Sequence, residues 1–360
     1  MANVKYCPVL RWKRGEQTAL TNLFPAQKET TKPILNLIAH SFDPPNGNTT
    51  DNAFDQRLDQ DADRLSAAWA GYTAAVDLGD IDPEARCEGG IHPIRSFFDR
   101  LNGSGSTVNA QPVLRMESDN AYITAVAGIC STYHKVPVIR LTLADLAEPD
   151  IDNYVRELLD NCNTPKENSD LVLDMGYINQ IGISTIMARG ALSAAPFIND
   201  WATVALVGGS FPENLSAFVI GVHEVPRIEW DVWLNSKNTV NREVIYGDYA
   251  TIHPIVAEED LDPRTINPTA SVRYTFDELW TLLRGRGTRS RGSTGFAQFY
   301  NHADTLFNMP QYRGEGFSYG DAKIARIHRR EEAQGNLETW VTIGVNHHIA
   351  EVVDLISSLP

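Results

Sequence analysis

The sequence predicts an α/β protein of the closed (β/α)8, TIM-type barrel class, with an elaborated insertion between the eighth strand and the last helix. Three observations predict it: eight short apolar, β-branched runs in the first 250 residues, amphipathic segments between them, and no early Gly-x-Gly-x-x-Gly turn after a strand. An open doubly wound sheet is the competing arrangement.

The runs are Tyr6 to Trp12, Pro33 to Ala39, Thr73 to Leu78, Pro112 to Met116, Val136 to Leu143, Leu171 to Met175, Thr203 to Val207 and Val244 to Tyr249. Most are continuously apolar, as parallel strands covered on both faces are. Between them, Phe54, Leu58, Ala62, Leu65 and Trp69 share one helical face, while Asp55, Arg57, Asp61 and Arg64 share the other. Ile94, Phe97, Phe98 and Leu101 repeat the pattern after the third run, and Ile151, Tyr154, Val155, Leu158 and Leu159 after the fifth. From about His253 to Asn336 the rhythm breaks at Pro254, Pro263 and Pro268, with strand-like stretches at Ser271 to Thr275 and Leu279 to Leu283. Residues 254–337 therefore read as an insertion within one domain spanning 1–360. Trp340 to Leu359 returns to helical spacing and supplies the eighth covering helix.

The chain has 360 residues, 42% hydrophobic and 21% charged, which excludes a disordered chain. Its net charge of −15 argues against a surface that coats nucleic acid or an anionic membrane, while leaving room for a local basic groove. Cys7, Cys87, Cys130 and Cys162 show no C-x-x-C spacing, the pattern of reduced thiols. No apolar signal core follows Met1, and no stretch approaches the roughly 18 apolar residues of a membrane span. The expectation is a cytoplasmic protein without a membrane partner.

In a barrel, charged residues near the strand C-termini meet at one mouth. The sequence offers Lys13 and Glu16 after the first strand, His40 and Asp43 after the second, and Asp77 and Asp80 at the third. Arg115 and Glu117 follow at the fourth, Arg140 at the fifth, Asp174 at the sixth and Asp248 at the eighth. Val113, Arg115 and Glu117 share one strand face. Two readings stay open. In one, Arg115, Arg140, Asp77 and Asp174 neutralise one another, as buried charges must. In the other, Lys13, Arg115 and Arg140 bind a phosphate or carboxylate, while Glu117, Asp77 or Asp174 does acid-base work or holds a divalent metal. Gly208, Gly209 and Ser210 end the seventh strand, where backbone N–H groups can meet an anion at the following helix.

Arg284, Arg286, Arg289 and Arg291, among glycines, form a concentrated basic loop fit either to grip phosphates or simply to stay solvated. His347 and His348 are expected near the start of the last helix, hence near the mouth, with one ring at most entering the site because tandem rings point about 100° apart. There is no G-x-S-x-G elbow, P-loop, H-x-H or H-E-x-x-H, so serine hydrolysis, P-loop chemistry and transition-metal sites are disfavoured, and no cofactor is indicated.

The opening Tyr6-Cys7-Pro8-Val9-Leu10-Arg11-Trp12-Lys13-Arg14-Gly15-Glu16 and Lys32-Pro33-Ile34-Leu35 resemble the phage-associated Beta protein family. Leu283-Arg284-Gly285, Phe317 to Asp321, Gly335-Asn336, Trp340 and Asn346-His347-His348 resemble its C-terminal pattern, so the likeness spans nearly the whole chain. The resemblance implies a prophage or mobile-element protein acting in phage-host conflict, and it supplies no catalytic residues. It draws attention to Lys13, Gly15, Glu16, Gly320, Asp321, His347 and His348, where Gly15 also has a plain reading as a turn residue.

Three functions are compatible with this pattern. The first is a mouth that binds a phosphate-bearing small molecule, nucleotide or nucleic-acid end, with Glu117, Asp174, His347 and His348 as candidate catalytic groups and Lys13, Glu16, Asp77, Arg115, Arg140, Asp248, Arg284 and Asp321 as ligand contacts. The second is a non-catalytic scaffold with a filled mouth, presenting its insertion to a phage or host protein. The third is a metal-dependent phosphodiesterase or nuclease, which requires carboxylates among Asp77, Glu117, Asp174 and Asp248 to converge on one cation.

Overall fold

The computed structural model describes residues 4–37, 53–255 and 267–359. Its main sheet is built from β1 (Val9–Arg11), β2 (Ile34–Asn36), β3 (Thr73–Asp77), β4 (Asn109–Arg115), β5 (Val138–Thr142), β6 (Asp170–Tyr177), β7 (Thr203–Gly209) and β9 (Ile245–Asp248), each coinciding with one of the eight apolar runs. β8 (Gly221–Pro226) lies between β7 and β9 in sequence and joins a different sheet. All main-sheet neighbours pair in parallel. The sheet closes through a parallel bridge between Tyr6 and Tyr246, where the Cys7 amide donates to the Tyr246 carbonyl at 2.9 Å. An open doubly wound sheet would leave those two edges apart, so the structure is a (β/α)8-type barrel.

Strand alternation divides the side chains cleanly. Val9, Ile34, Ala75, Val113, Val138, Val172, Ala205 and Ile245 form an apolar plug inside the barrel. Two residues onward, and so facing the same way, come Arg11, Asn36, Asp77, Arg115, Arg140 and Asp174, and four residues beyond Ile245 comes Tyr249, together a polar ring at the C-terminal mouth. At the opposite end the Lys32 ammonium meets Asp170, which also accepts from Thr203 at 2.5 Å.

Helices α1 (Arg14–Thr21), α2 (Pro25–Thr30), α3 (Ala53–Ala68), α4 (Pro93–Gly103), α5 (Asn120–Tyr133), α6 (Ile151–Asn161), α7 (Ile181–Ala194) and α8 (Ile228–Ser236) follow the barrel strands. Their apolar sides, such as Leu58, Ala62 and Leu65 of α3, bury against the barrel's outer residues. Among the described residues no helix is long and apolar enough to cross a membrane.

The second sheet has the order β10 (Thr269–Phe276), β11 (Leu279–Gly287), β8, all antiparallel. Its third strand comes from 221–226, outside the 254–337 region where elaboration was expected; the segment escapes a sequence reading because it is a short edge strand with most residues exposed. One face of this sheet, with Val272, Tyr274 and Leu283, packs under α9 (Gln298–Phe307), α10 (Tyr319–His328) and the beginning of α11 (Leu337–Ser358). The other face, with Trp280 and Leu282, meets Phe211, which follows β7 at the barrel mouth.

α11 has 22 residues, about 33 Å at 1.5 Å per residue. Trp340 and Ile343 near its start cover the small sheet, and Val345, Ile349 and Val352 further along cover the barrel. Gly15 lies within α1, not in a turn: a Cβ there would stand 2.7 Å from Val341 Cγ1, so glycine is what lets α1 and α11 approach.

Candidate functional site

The floor of the mouth is a closed ion-pair network. Arg140, only 6% exposed, donates to Asp174 through Nε at 3.0 Å and Nη2 at 2.5 Å, and to Asp77 and Asn36 through Nη1 at 2.8 and 3.1 Å. Tyr249 donates to Asp174 at 2.6 Å. Arg115 holds Asp77 at 2.9 Å, Asp80 at 2.8 Å and Glu117 at 3.2 Å. Burial alone would raise the Asp77 carboxyl, but the Arg115 and Arg140 guanidiniums outweigh it and hold it below the usual range. Every charge on this floor has a protein partner.

Above the floor the balance changes. Arg11 at the end of β1, Lys13 just after it and Arg273 of β10 each act electrostatically on Glu16 in the first turn of α1. Arg11 reaches across to the His253 and Ile255 carbonyls at 3.0 and 3.1 Å. Arg273 lies over the Phe211 ring at 4.3 Å and donates to the Thr251 carbonyl at 2.7 Å, yet stays partly open to solvent. Burial pushes Arg273 down to about 10, with Arg11 adding to the fall and Glu16 opposing it. Burial also lowers Lys13 and Arg11. Glu16 is pushed up to about 7 by burial, against the pull of its own amide and the three cations. Three cations thus act on one carboxyl group whose pKa burial raises, and none of the three has a carboxylate in ion-pair range among the described residues, an arrangement suited to an anion.

The tandem histidines sit elsewhere. They are the middle of α11, not its start, at the point where the helix passes from the small sheet to the barrel, and both rings are fully buried. His347 donates from Nδ1 to Asp321 at 2.8 Å and from Nε2 to the Thr275 carbonyl at 2.7 Å. Both partners are acceptors, so the ring carries two protons; although burial works against the charge, Asp321 raises its pKa. His348 donates from Nε2 to Asp248 at 2.9 Å and accepts at Nδ1 from the Thr275 hydroxyl at 2.7 Å. Burial lowers its pKa, consistent with a neutral ring. The two rings therefore clasp opposite ends of one residue, Thr275 of β10, and tie it to α10 and to the barrel.

Several sequence expectations change here. The 100° divergence of tandem rings was expected to admit one to a site and leave the other over; instead both are bonded at both nitrogens. Asp248 faces outward between the barrel and α11, because Ile245 and Tyr249 take the inward positions, and it is filled by Tyr6, Tyr246 and His348. Asp321 accepts from Tyr274, Ser318 and His347 and is fully buried. Asp77, Glu117, Asp174 and Asp248 do not converge, and among the described residues no three His, Cys, Asp or Glu side chains could hold a metal ion. The Gly208 to Ser210 segment is closely packed: the Ser210 hydroxyl accepts from Ile228 N at the start of α8 and donates to Glu229 at 2.5 Å, and Ile178 Cδ1 lies 2.3 Å from where a Gly208 Cβ would be. Arg284 lies on β11, bonded to Ser271 at 3.3 Å. His40 and Asp43 lie outside the described residues.

The structure brings Lys13 and Glu16 together with two residues that sequence reasoning missed, Arg11 and Arg273. Arg11 was legible: it is two residues beyond inward Val9 and so must face the mouth. Arg273 was not, since its position depends on how the small sheet lies against Phe211 and Thr251.

Comparison with known proteins bears on the family. Protein beta of Enterobacteria phage P4 is 22% identical over 367 residues, covering 99% of this chain and 95% of that protein. Among solved structures, a crystal structure of oxaloacetate acetylhydrolase is similar at 12% identity with a TM-score of 0.36, covering 70% of this chain and 77% of that one. A structure of oxaloacetate acetylhydrolase in complex with the product oxalate gives 13% identity and a TM-score of 0.35, with the same coverage. Those superpositions are loose, and neither fold nor chemistry is argued from them. A family model described as Beta protein matches residues 6–354, from Tyr6 at the barrel seam into the last helix. Over that span this phage-associated barrel chain belongs to the Beta protein family.

Proposed function

We propose that this protein binds a phosphate-bearing ligand at the C-terminal mouth of its barrel, in the cleft between the barrel and the small sheet, and acts through that binding in phage-host conflict. The observation that supports the site is that Arg11 and Arg273 are bonded to backbone carbonyls and, like Lys13, have no carboxylate in ion-pair range among the described residues, while all three act on the single carboxyl of Glu16. In this reading guanidinium groups from two different sheets hold one phosphate, and the Phe211 ring, 4.3 Å from Arg273, supports that cation. Arg115 and Arg140 shape the floor and carry little of the affinity, because Asp77 and Asp174 already satisfy them. The phage P4 relative supports the mobile-element setting.

Calorimetric titration of the full chain with a nucleoside monophosphate tests the site. Saturable binding that weakens at least about tenfold in Arg11→Ala and in Arg273→Ala, about 1.4 kcal/mol each, is the expected result. Equal affinity in parent and both variants would refute it. Phage challenge of hosts carrying the parent or Arg273→Ala then checks the biological role, which requires the variant to lose protection.

A second reading, a protein-interaction scaffold, is favoured by the closed floor alone. It predicts no nucleotide binding at all.

A further inference from the structure

The basic stretch at the end of β11 and in the loop after it differs from the other arginine-rich stretch of the chain in what three of its arginines lack. The chain has two arginine-rich stretches, 284–291 and 326–330. In the second, Arg326 pairs with Glu332 at 2.6 Å, Arg329 with Glu331 at 2.7 Å and Arg330 with Asp304 at 2.7 Å. In the first, no carboxylate among the described residues lies in ion-pair range of Arg284, Arg286 or Arg291. On a chain of net charge −15, three unneutralised arginines close together are the exception.

The stretch is also built. Asn267 accepts from the Arg289 amide at 2.8 Å and donates to Ser290 at 2.9 Å. Gln298 accepts from the Arg286 amide at 2.8 Å and donates to Ser293 and to the Gly295 carbonyl at 3.0 and 2.9 Å. A loop held this way loses little entropy on binding.

Strand register connects this loop to the mouth. Arg273 is directly opposite Leu282, and Arg284, two residues further along β11, is on the same face, the one that meets Phe211. Diagonal neighbours of this kind stand about 7–8 Å apart. Past the bulge between Thr269 and Ser271, Arg286 is exposed, with its Nη1 3.7 Å from the Cβ position of Gly292 in the loop. Arg11, Arg273, Arg284 and Arg286 therefore follow one another from the cleft outward. At the far end Phe296, 38% exposed, lies parallel to Phe299 with centroids 6.2 Å apart, presenting a ring face on which a base can stack.

We infer that the mouth receives the end of a single-stranded nucleic acid, whose backbone phosphates run along the cleft-facing side of β10 and β11 to the arginine loop. This rests on the mouth being an anion site, as proposed above, and names its ligand as a polymer instead of a free nucleotide. One file of arginines matches one backbone, and the acidic remainder of the surface restricts contact to that file.

Fluorescence anisotropy with labelled thymidylates of one, four, eight and twelve nucleotides tests it, using the full chain, Arg286→Ala/Arg291→Ala, and the matching lysine pair. The eight-mer is expected to bind at least about tenfold tighter than the mononucleotide. The alanine pair should remove most of that gain and reduce the salt slope by about 1.4, two contacts at about 0.7 each, while mononucleotide affinity stays unchanged and the lysine pair restores the slope. Mononucleotide binding without length dependence overturns the polymer inference and leaves the mouth site standing. No binding of any thymidylate overturns both. A duplex that binds more tightly than the single strand, or a phosphorylated peptide that binds in a loop-dependent way where thymidylates do not, overturns the assignment of the partner.

Discussion

The floor and the roof of the barrel mouth contain the same chemical groups and use them in opposite ways. On the floor, Arg140 is gripped by Asp174 and Asp77, and Arg115 by Asp77, Asp80 and Glu117. On the roof, Arg11, Lys13 and Arg273 have no carboxylate in ion-pair range among the described residues, and Glu16, on which all three act, is pushed up to about 7 by burial. Charge at a barrel mouth is therefore no guide to binding until its partners are counted. A cation that the fold has already neutralised stabilises the fold; a cation left with backbone carbonyls alone is available to a ligand.

The sharpest way to break the comparison is to remove a floor cation. Arg140→Ala leaves Asp174 buried without its bidentate partner, and urea denaturation should show a loss of about 3–5 kcal/mol, with phosphate affinity unchanged in the folded fraction. A loss below about 1 kcal/mol would mean that the floor is solvated and exchangeable. Asp321→Asn extends the test to the His347 clasp: the doubly protonated ring loses its counter-charge, and a destabilisation of about 3 kcal/mol is expected without effect on binding.

Arg273→Ala should do the reverse, with stability within about 1 kcal/mol of the parent and a loss of about tenfold in phosphate affinity. The Arg11 and Arg273 effects should fall short of additive if both hold one phosphate, which a double-mutant cycle measures.

The smallest effect is in pH. Glu16 rises from 4.5 to about 7 on folding, so its contribution to stability is fully present below about 4.5 and lost as pH rises through about 7. A bound anion favours the protonated form further, so phosphate affinity should strengthen a few-fold as pH falls from about 8 to about 6, with proton uptake seen by calorimetry in buffers of different ionisation enthalpy. Glu16→Gln should flatten that profile; an unchanged profile would remove Glu16 from the site.

Much of the fold was legible because parallel strands leave a strong record: Val138, Ile139 and Leu141, or Leu171, Val172 and Leu173, are buried on both sides and read as continuous apolar runs. Period two then places Asp77, Arg115, Arg140 and Asp174 in the mouth, and the same rule turns Asp248 outward, a consequence visible from Ile245 and Tyr249. What the sequence did not disclose was the pairing of elements distant in the chain. β8 joins β11 through an exposed edge segment with no hydrophobic alternation, and Arg273 reaches the cleft only because that sheet faces Phe211. The tandem histidines read as site residues because they were expected near the start of the last helix and so near the mouth; α11 begins at Leu337, and in its middle it uses two imidazoles, each able to bond at both ends, to hold Thr275.

The most direct test of the division between floor and roof is a crystal structure of the full chain with a bound nucleoside monophosphate. The account predicts phosphate oxygens within about 3 Å of the Arg11 and Arg273 guanidiniums, with Arg140 still bonded to Asp77 and Asp174. A phosphate that displaces either carboxylate from Arg140, or that binds away from the cleft, would contradict it.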